Sequence, residues 1–408
     1  MRLILCEMKK VFKGPMVWIA LVIAIAVNIV QIISGSAAPV LSTDIQELKD
    51  RYAYFAGPIT SEWSQRYQQE ADQILTDPQY QVSEEEAEAI IQKYVNEWGY
   101  TEETVRDNGA LFLNEAGVTA HEKYEDVTVA ANFYKYAMDF GEQMAQYYGD
   151  TYPGEKGEAF ADYTLERYTY LANEYVANYN YDFGYGNIRK IMTVYPYTLG
   201  LVVLVALAPI FSSEYSRRTD ALLLTSKNGK KRLAHGKLAA GLWTGVILWS
   251  IITVLNVAVI FCLYGTAGWE AFWQDWISTV APFPWNQGIA TVAAIFTSLL
   301  GTLFFVFILM LVSSISKNQF VSIIIGAVIL LFPVFDFGFT GNYAVQMIYN
   351  FLPSRMMMGE RIWQGFDLFY LAGAVIPYQY IAITFAVVAS ICTIPVTTHL
   401  FVRHQVEN

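Results

Sequence analysis

Two hydrophobic textures alternate along the chain. Six apolar runs, at 16–34, 193–211, 238–264, 288–314, 319–335 and 377–402, are continuous enough to read as membrane-crossing helices; a helix needs roughly 20 such residues to cross a bilayer. Between the first and second run the texture changes. Segments such as WSQRYQQEADQIL and SEEEAEAIIQKYVNEW place apolar and aromatic residues three and four apart, the spacing of amphipathic helices packed on one face. Ser83 followed by Glu86 has the form of a capping box, and Pro58, Pro78, Gly99, Gly117 and Pro153 punctuate the pattern. The spacing predicts four to six helices here, continuing into the second apolar run through 187–192.

Charge divides the chain at the same places. Residues 37–190 hold 28 Asp+Glu against 11 Lys+Arg and carry 19 of the 28 tyrosines, while the remainder is mildly basic. The chain therefore reads as an acidic soluble insert within a membrane body. Neither part has the basic face that nucleic acid requires. The three cysteines, Cys6, Cys262 and Cys392, all lie outside the insert, so its stability must come from its core and not from disulfides. The tyrosines fit either that core or a binding surface. Glu84, Glu85, Glu86, Glu88, Glu102 and Glu103 lack the spacing of a calcium loop and read as a solvated helix face.

Basic residues in the short loops set the orientation. With the N-terminus inside, the cytoplasmic side collects Arg2, Lys9, Lys10, Lys13, seven basic residues of 213–238, Lys317 and Arg403, whereas the short outer loops hold only Arg355 and Arg361. Both termini are then cytoplasmic and the insert is extracellular. Residues 1–38 could instead be a cleaved signal peptide, but an apolar run of about 17 residues exceeds the roughly 7–15 of such a segment.

The six runs contain no Asp, Glu, Lys or Arg, the groups that ion-coupled carriers keep within the membrane. Their polar residues, among them Asn28, Thr297, Ser298 and Ser322, read as packing contacts, and Gly301, Gly326, Pro209 and Pro395 as packing and kink positions. There is no HExxH, GxSxG or Walker A sequence. No catalytic residue and no metal ligand is expected. Energy for any transport has to come from another protein.

The segment 213–238 offers that protein a handle. Glu214 follows the second run, then come Arg217, Arg218, Thr219, the stripe Leu222-Leu223-Leu224, Thr225, a basic run ending at Arg232, and Lys237 at the start of the third run. Upstream, RLILCEMKKVFK sets Leu3, Ile4, Val11 and Phe12 beside Lys9, Lys10 and Lys13, an interfacial amphipathic helix. Residues 337–376 are too apolar for a solvated loop, with Met356-Met357-Met358 and Trp363. They predict re-entrant or interfacial helices broken at Pro353 and Gly365.

This combination resembles the permease subunits of type-2 ABC exporters. In these the loop after the second span reads E-x-x-x-G-T-x-x-x-L-L-x-(T/S)-P-x-x-(R/K), and a lysine opens the next span. Glu214, Thr219, Leu223, Leu224, Thr225, Arg232 and Lys237 fit. Arg218 stands at the usual glycine, and Ser226-Lys227 at the usual Ser/Thr-Pro. The resemblance implies an all-α integral membrane protein with six transmembrane helices in the type-2 ABC exporter arrangement. Its parts would be an interfacial helix (1–15), the first span (16–36), a helical extracellular domain (37–190) and a membrane domain (191–408), with a coupling loop at 213–237 and half-helices at 337–376. It further implies cytoplasmic ABC ATPase partners that bind ATP and Mg, since this chain holds no cofactor. A second permease copy or homologue and membrane lipid complete the expected partners, in a bacterial plasma membrane. The expected cargo is hydrophobic or amphipathic: a lipid, a drug or an antimicrobial peptide. The residues also leave open a membrane-anchored receptor or sensor whose outer domain binds a ligand without transport.

Overall fold

The computed structural model describes residues 2–36, 45–216, 229–274, 281–316, 318–334 and 348–403. Helices α1 (Arg2–Lys13) and α2 (Pro15–Gln31) come first. The insert holds α3 (Ile45–Ala53), α4 (Ser61–Thr76), α5 (Glu84–Trp98), α6 (Glu102–Asp107), α7 (Glu115–Ala131), α8 (Phe133–Thr151) and α9 (Glu155–Asn173). Then follow α10 (Phe183–Met192), α11 (Tyr195–Leu207), α12 (Pro209–Ser216), α13 (Gly229–Tyr264), α14 (Gln287–Ile315), α15 (Gln319–Leu331), α16 (Pro353–Met357), α17 (Gly359–Gln364) and α18 (Tyr378–Arg403). Two short antiparallel pairs, Gly57–Pro58 with Asn178–Tyr179 and Leu368–Leu371 with Ala374–Pro377, are the strands among the described residues. The fold is all-α.

Contacts divide the chain into two compact units, one of Met1–Thr43, Asp182–Trp269 and Gln287–Asn408, the other of Asp44–Tyr181 and Glu270–Asn286. The division departs from the expected 37–190 boundary in two ways. Residues Asp182–Lys190 group with the apolar helices, and Glu270–Asn286 groups with the tyrosine-rich insert. The second assignment has a hydrogen-bonded cause: Phe272 N donates to Asn178 O at 2.8 Å, and Tyr175 Oη to Trp285 O at 3.1 Å.

In the insert the tyrosines make the core. Phe55 meets Trp63, Tyr67 and Tyr124 edge-on, Phe160 meets Tyr148 and Tyr152, and Phe133 meets Tyr134, Tyr175 and Phe272. Edge-to-face packing suits ring quadrupoles. The capping box forms as read from the sequence, with Ser83 and Glu86 exchanging both bonds. The acidic face of α5 and α6 is exposed, and Arg106 pairs with Glu102 at 2.8 Å and Glu88 at 3.3 Å.

In the apolar unit, among the described residues, five helices are long enough to cross a membrane: Pro15–Ser34, Tyr195–Tyr215, Lys230–Tyr264, Gln287–Ile315 and Tyr378–Arg403. The fifth of the six expected spans is shorter than the sequence predicts. Its α-helix is 13 residues, Gln319–Leu331, followed by one 3-10 turn over Phe332–Val334. Thirteen residues rise about 20 Å against a hydrocarbon core of about 30 Å. Pro333 lacks the N–H that would continue the helix.

Burial identifies the interior helices. Two-thirds of the Tyr195–Tyr215 window and half of the Gln287–Ile315 window are buried, against 28% for the first span and the last. The outer helices turn Ile19, Val22, Ile23 and Val30, or Phe385, Val388 and Ile391, outward, as a surface in lipid should. The second span breaks at Pro209, and the break is satisfied by hydroxyls. Ser313 Oγ accepts from Phe211 N at 3.0 Å and Ser212 N at 3.2 Å and donates to Ala208 O at 2.6 Å; Ser212 Oγ and Ser322 Oγ reach the same carbonyl. Irregular backbone at membrane depth needs such internal partners.

The half-helices α16 and α17 lie against α14. Met356, Met357 and Met358 are buried, and Trp363 Nε1 donates to Thr297 Oγ1 at 3.0 Å. Pro353 and Gly365 bound the pair instead of breaking it. Pro353 opens α16, Gly365 caps α17, and the break falls at Met358. The approach is backbone on backbone. A Cβ at Gly359 would sit 1.8 Å from Ala294 O, and one at Gly301 2.4 Å from Met357 N. Gly326 makes the same allowance for the ends of Leu204 and Leu309.

Gly359→Ala should therefore destabilise the protein by about 1–3 kcal/mol, the cost of overpacking, while Gly365→Ala, whose Cβ would meet nothing nearer than 4.0 Å, should be near neutral. Thermal unfolding of the two variants in detergent measures the difference; equal melting temperatures would contradict this packing.

Candidate functional site

Helix α1 is amphipathic as expected. Leu3, Val11 and Phe12 pack on the core, and Lys9, Lys10 and Lys13 are exposed. One residue breaks the pattern: Glu7 is an acid on the apolar face and is buried. It sits four residues from Leu3 and four from Val11, which is the one sequence signal that could have found it. Its partner is Lys237, only 2% exposed.

Helix α13 begins at Gly229, nine residues before the predicted third span, so Lys237 lies inside a helix. Its ammonium meets Glu7 Oε2 at 2.9 Å, Glu214 Oε1 at 2.9 Å and Ile210 O at 2.8 Å. An ammonium has three N–H donors, and all three are used. Lys10 Nζ adds a bond to Glu7 Oε1 at 2.5 Å and lies 3.9 Å from Glu214. Gly236 lets α1 come close, since a Cβ there would be 2.7 Å from Leu3. Trp18 Nε1 donates to Phe12 O at 2.8 Å, fixing the corner between α1 and α2.

Two buried charged residues, Glu214 and Lys237, thus lie within helices that carry the second and third apolar runs. The helices outrun those runs: α12 reaches Ser216 and α13 starts at Gly229. Glu214 and Lys237, read from the sequence as loop residues, are both buried and face each other. Arg232 is exposed on the first turns of α13. Arg217, Arg218, Thr219, Leu222, Leu223, Leu224 and Thr225 lie outside the described residues. The ion pair therefore ties α1 to both helices that flank 217–228.

Burial alone would raise the Glu7 carboxyl, but Lys237 and Lys10 beside it outweigh that and hold it below the usual carboxylate range. A depressed folded value stabilises the folded form above the unfolded value, and this is lost as pH falls through the folded one.

A second buried ion pair lies near the other end of α13, and sequence reading missed it because its members are far apart in the chain. Arg189 of α10 bonds Glu360 of α17 at 2.5 Å and Gln287 of α14 at 2.6 Å, and Gln287 donates in turn to Asp182. Gly184 of α10 abuts Gly265 O, just past the last residue of α13.

A profile of the ABC-2 family transporter protein matches residues 1–402. The chain belongs to the ABC-2 family. No curated protein and no solved structure matches it. The match takes in α1, the insert and all the apolar helices. It makes this ABC-2 chain a multi-pass membrane transporter subunit, for which a joint between α1 and two span helices has mechanical meaning.

Removing one member of a buried pair costs about 3–5 kcal/mol. Lys237→Met should lower the melting temperature in detergent clearly, and Glu7→Gln with Lys237→Met should be less destabilised than the sum of its parts; simple additivity would argue against direct coupling. Acid is the second test. The protection of amides in residues 2–13 relative to intrinsic exchange should be high at neutral pH and fall as pH drops through the depressed Glu7 value, below the usual carboxylate range. Glu7→Gln should abolish that pH dependence, and an unchanged acid response would exclude Glu7 as its source.

Proposed function

We propose that this chain is the membrane subunit of an ABC exporter, driven by separate cytoplasmic ATPase subunits that bind ATP and Mg. The reading rests chiefly on the buried Glu7–Lys237–Glu214 joint in an ABC-2 family member. The joint links the interfacial helix to both helices entering 217–228, the segment that carries the leucine stripe. A push on that segment is then shared by α1, α12 and α13 without any new contact forming. The excess of lysine and arginine at this end supports a cytoplasmic position for it and for both termini, with the acidic insert on the outside. A substrate path lined by apolar and hydroxyl groups suits a hydrophobic or amphipathic cargo such as a lipid, drug or antimicrobial peptide. A second copy or a sister permease would complete the path.

Co-purification in mild detergent with a co-expressed P-loop ATPase tests the assignment. The wild-type chain should retain ATP-hydrolysing activity through the purification, and Leu223→Asp with Leu224→Asp should lose it at least tenfold. A wild-type chain that never holds an ATPase, or a double variant that binds undiminished, would overturn the proposal.

A further inference from the structure

Beside the joint lies a cavity of about 840 Å³, within the range of pockets that hold drug-sized ligands. It is formed by the end of α1, the start of α2, the α11–α12 break and Gln319 at the start of α15. One wall is apolar, with Val11, Val17, Val205, Ala206 and Ile210. The mouth is cationic. Three ammonium groups, Lys10, Lys13 and Lys237, line the cavity against two carboxylates, Glu7 and Glu214. Lys237 has no donor to spare. Lys10 bonds Glu7 yet remains 62% exposed, and Lys13 is exposed with no ion pair among the described residues. Cationic charge therefore remains at the rim after the buried carboxylates are matched.

Apolar wall and cationic rim together select an amphiphile. Inorganic phosphate would satisfy the lysines and leave the wall wet; a neutral hydrocarbon would fill the wall and leave the lysines unmatched. The cavity also opens beside Met16, an exposed residue at the start of a membrane-spanning helix, at the depth where head groups meet acyl chains. We propose that this cavity binds one anionic phospholipid, its phosphodiester between Lys10 and Lys13 and its glycerol and upper chain against Val17, Val205 and Ala206. The bound lipid would pin the corner between α1 and α2 next to the Glu7–Lys237 pair and so stiffen a joint that the protein already makes. The site stands on the cavity and its charges and does not depend on the ATPase assignment.

The test uses the full-length protein in detergent, exposed to mixed micelles containing phosphatidylglycerol or phosphatidylcholine and repurified, with retained lipid quantified by mass spectrometry. Phosphatidylglycerol should be retained in preference to phosphatidylcholine. Lys10→Gln with Lys13→Gln should weaken retention about 10- to 30-fold, given the usual contribution of each lysine near anionic lipid. Lys230→Gln with Lys231→Gln removes equal charge from the start of α13, outside the cavity lining, and should change retention by less than about twofold on the same scale. Ala206→Phe fills the wall at constant charge and should also release the lipid; if it does not fold, the two lysine pairs still decide. Equal retention of both lipids, equal loss in both lysine pairs, or displacement of phosphatidylglycerol by soluble glycerol phosphate at matched concentration would each overturn the proposal.

Discussion

A lysine ammonium that leaves water must find an acceptor for every N–H it carries and a negative charge to balance it. Lys237 does both, with a carboxylate from α1 and a carboxylate and a backbone carbonyl from α12. That requirement fixes more than a local contact. It holds α1 along α13, sets the end of the second span against the start of the third, and ties together the two helices that flank residues 217–228. The pair is expensive to desolvate, and removing Lys237 would leave Glu7 and Glu214 without its charge.

The far end of α13 repeats the solution. Arg189 and Glu360 come from segments separated by the whole of α11–α16, yet are brought together with Gln287 at the start of α14. Between the two ion pairs the helices rely on small residues and hydroxyls. Gly301 and Gly359 allow backbone contact, and the Ser313 hydroxyl replaces the hydrogen bonds lost at the Pro209 break. Buried ion pairs near both ends of α13 and close neutral packing between them characterise the apolar unit.

Energy conversion then becomes a matter of transmission. The chain has no Walker A sequence, and in the proposed reading force would enter through the segment flanked by Glu214 and Lys237. Under the proposed coupling, the joint would turn movement of that segment into movement of α1, whose Lys9, Lys10 and Lys13 are exposed. An anionic lipid beside the same corner would make the stiffness of the fastening depend on the surrounding bilayer.

Much of this was legible in the chain itself. Long apolar runs had nowhere to go but a membrane, and three-and-four spacing required helices in the insert. The alternation of Leu3, Val11 and Phe12 with lysines required an interfacial α1. Those features follow from local periodicity and from the cost of exposing apolar surface or unpaired backbone. The sequence also carried the family resemblance, through Glu214, the leucine stripe and Lys237. It did not reveal that Glu214 and Lys237 face each other and Glu7. Helix ends run past apolar runs when charges there can be paired, and pairing is a fact about neighbours in space. Distance in the chain likewise hid Arg189–Glu360 and the hydrogen bonds that group residues 270–286 with the insert. Local pattern decided which segments are helices and which surfaces seek lipid; only the tertiary structure decided which buried charges cancel, because charge neutralisation depends on distances between residues that the chain places far apart.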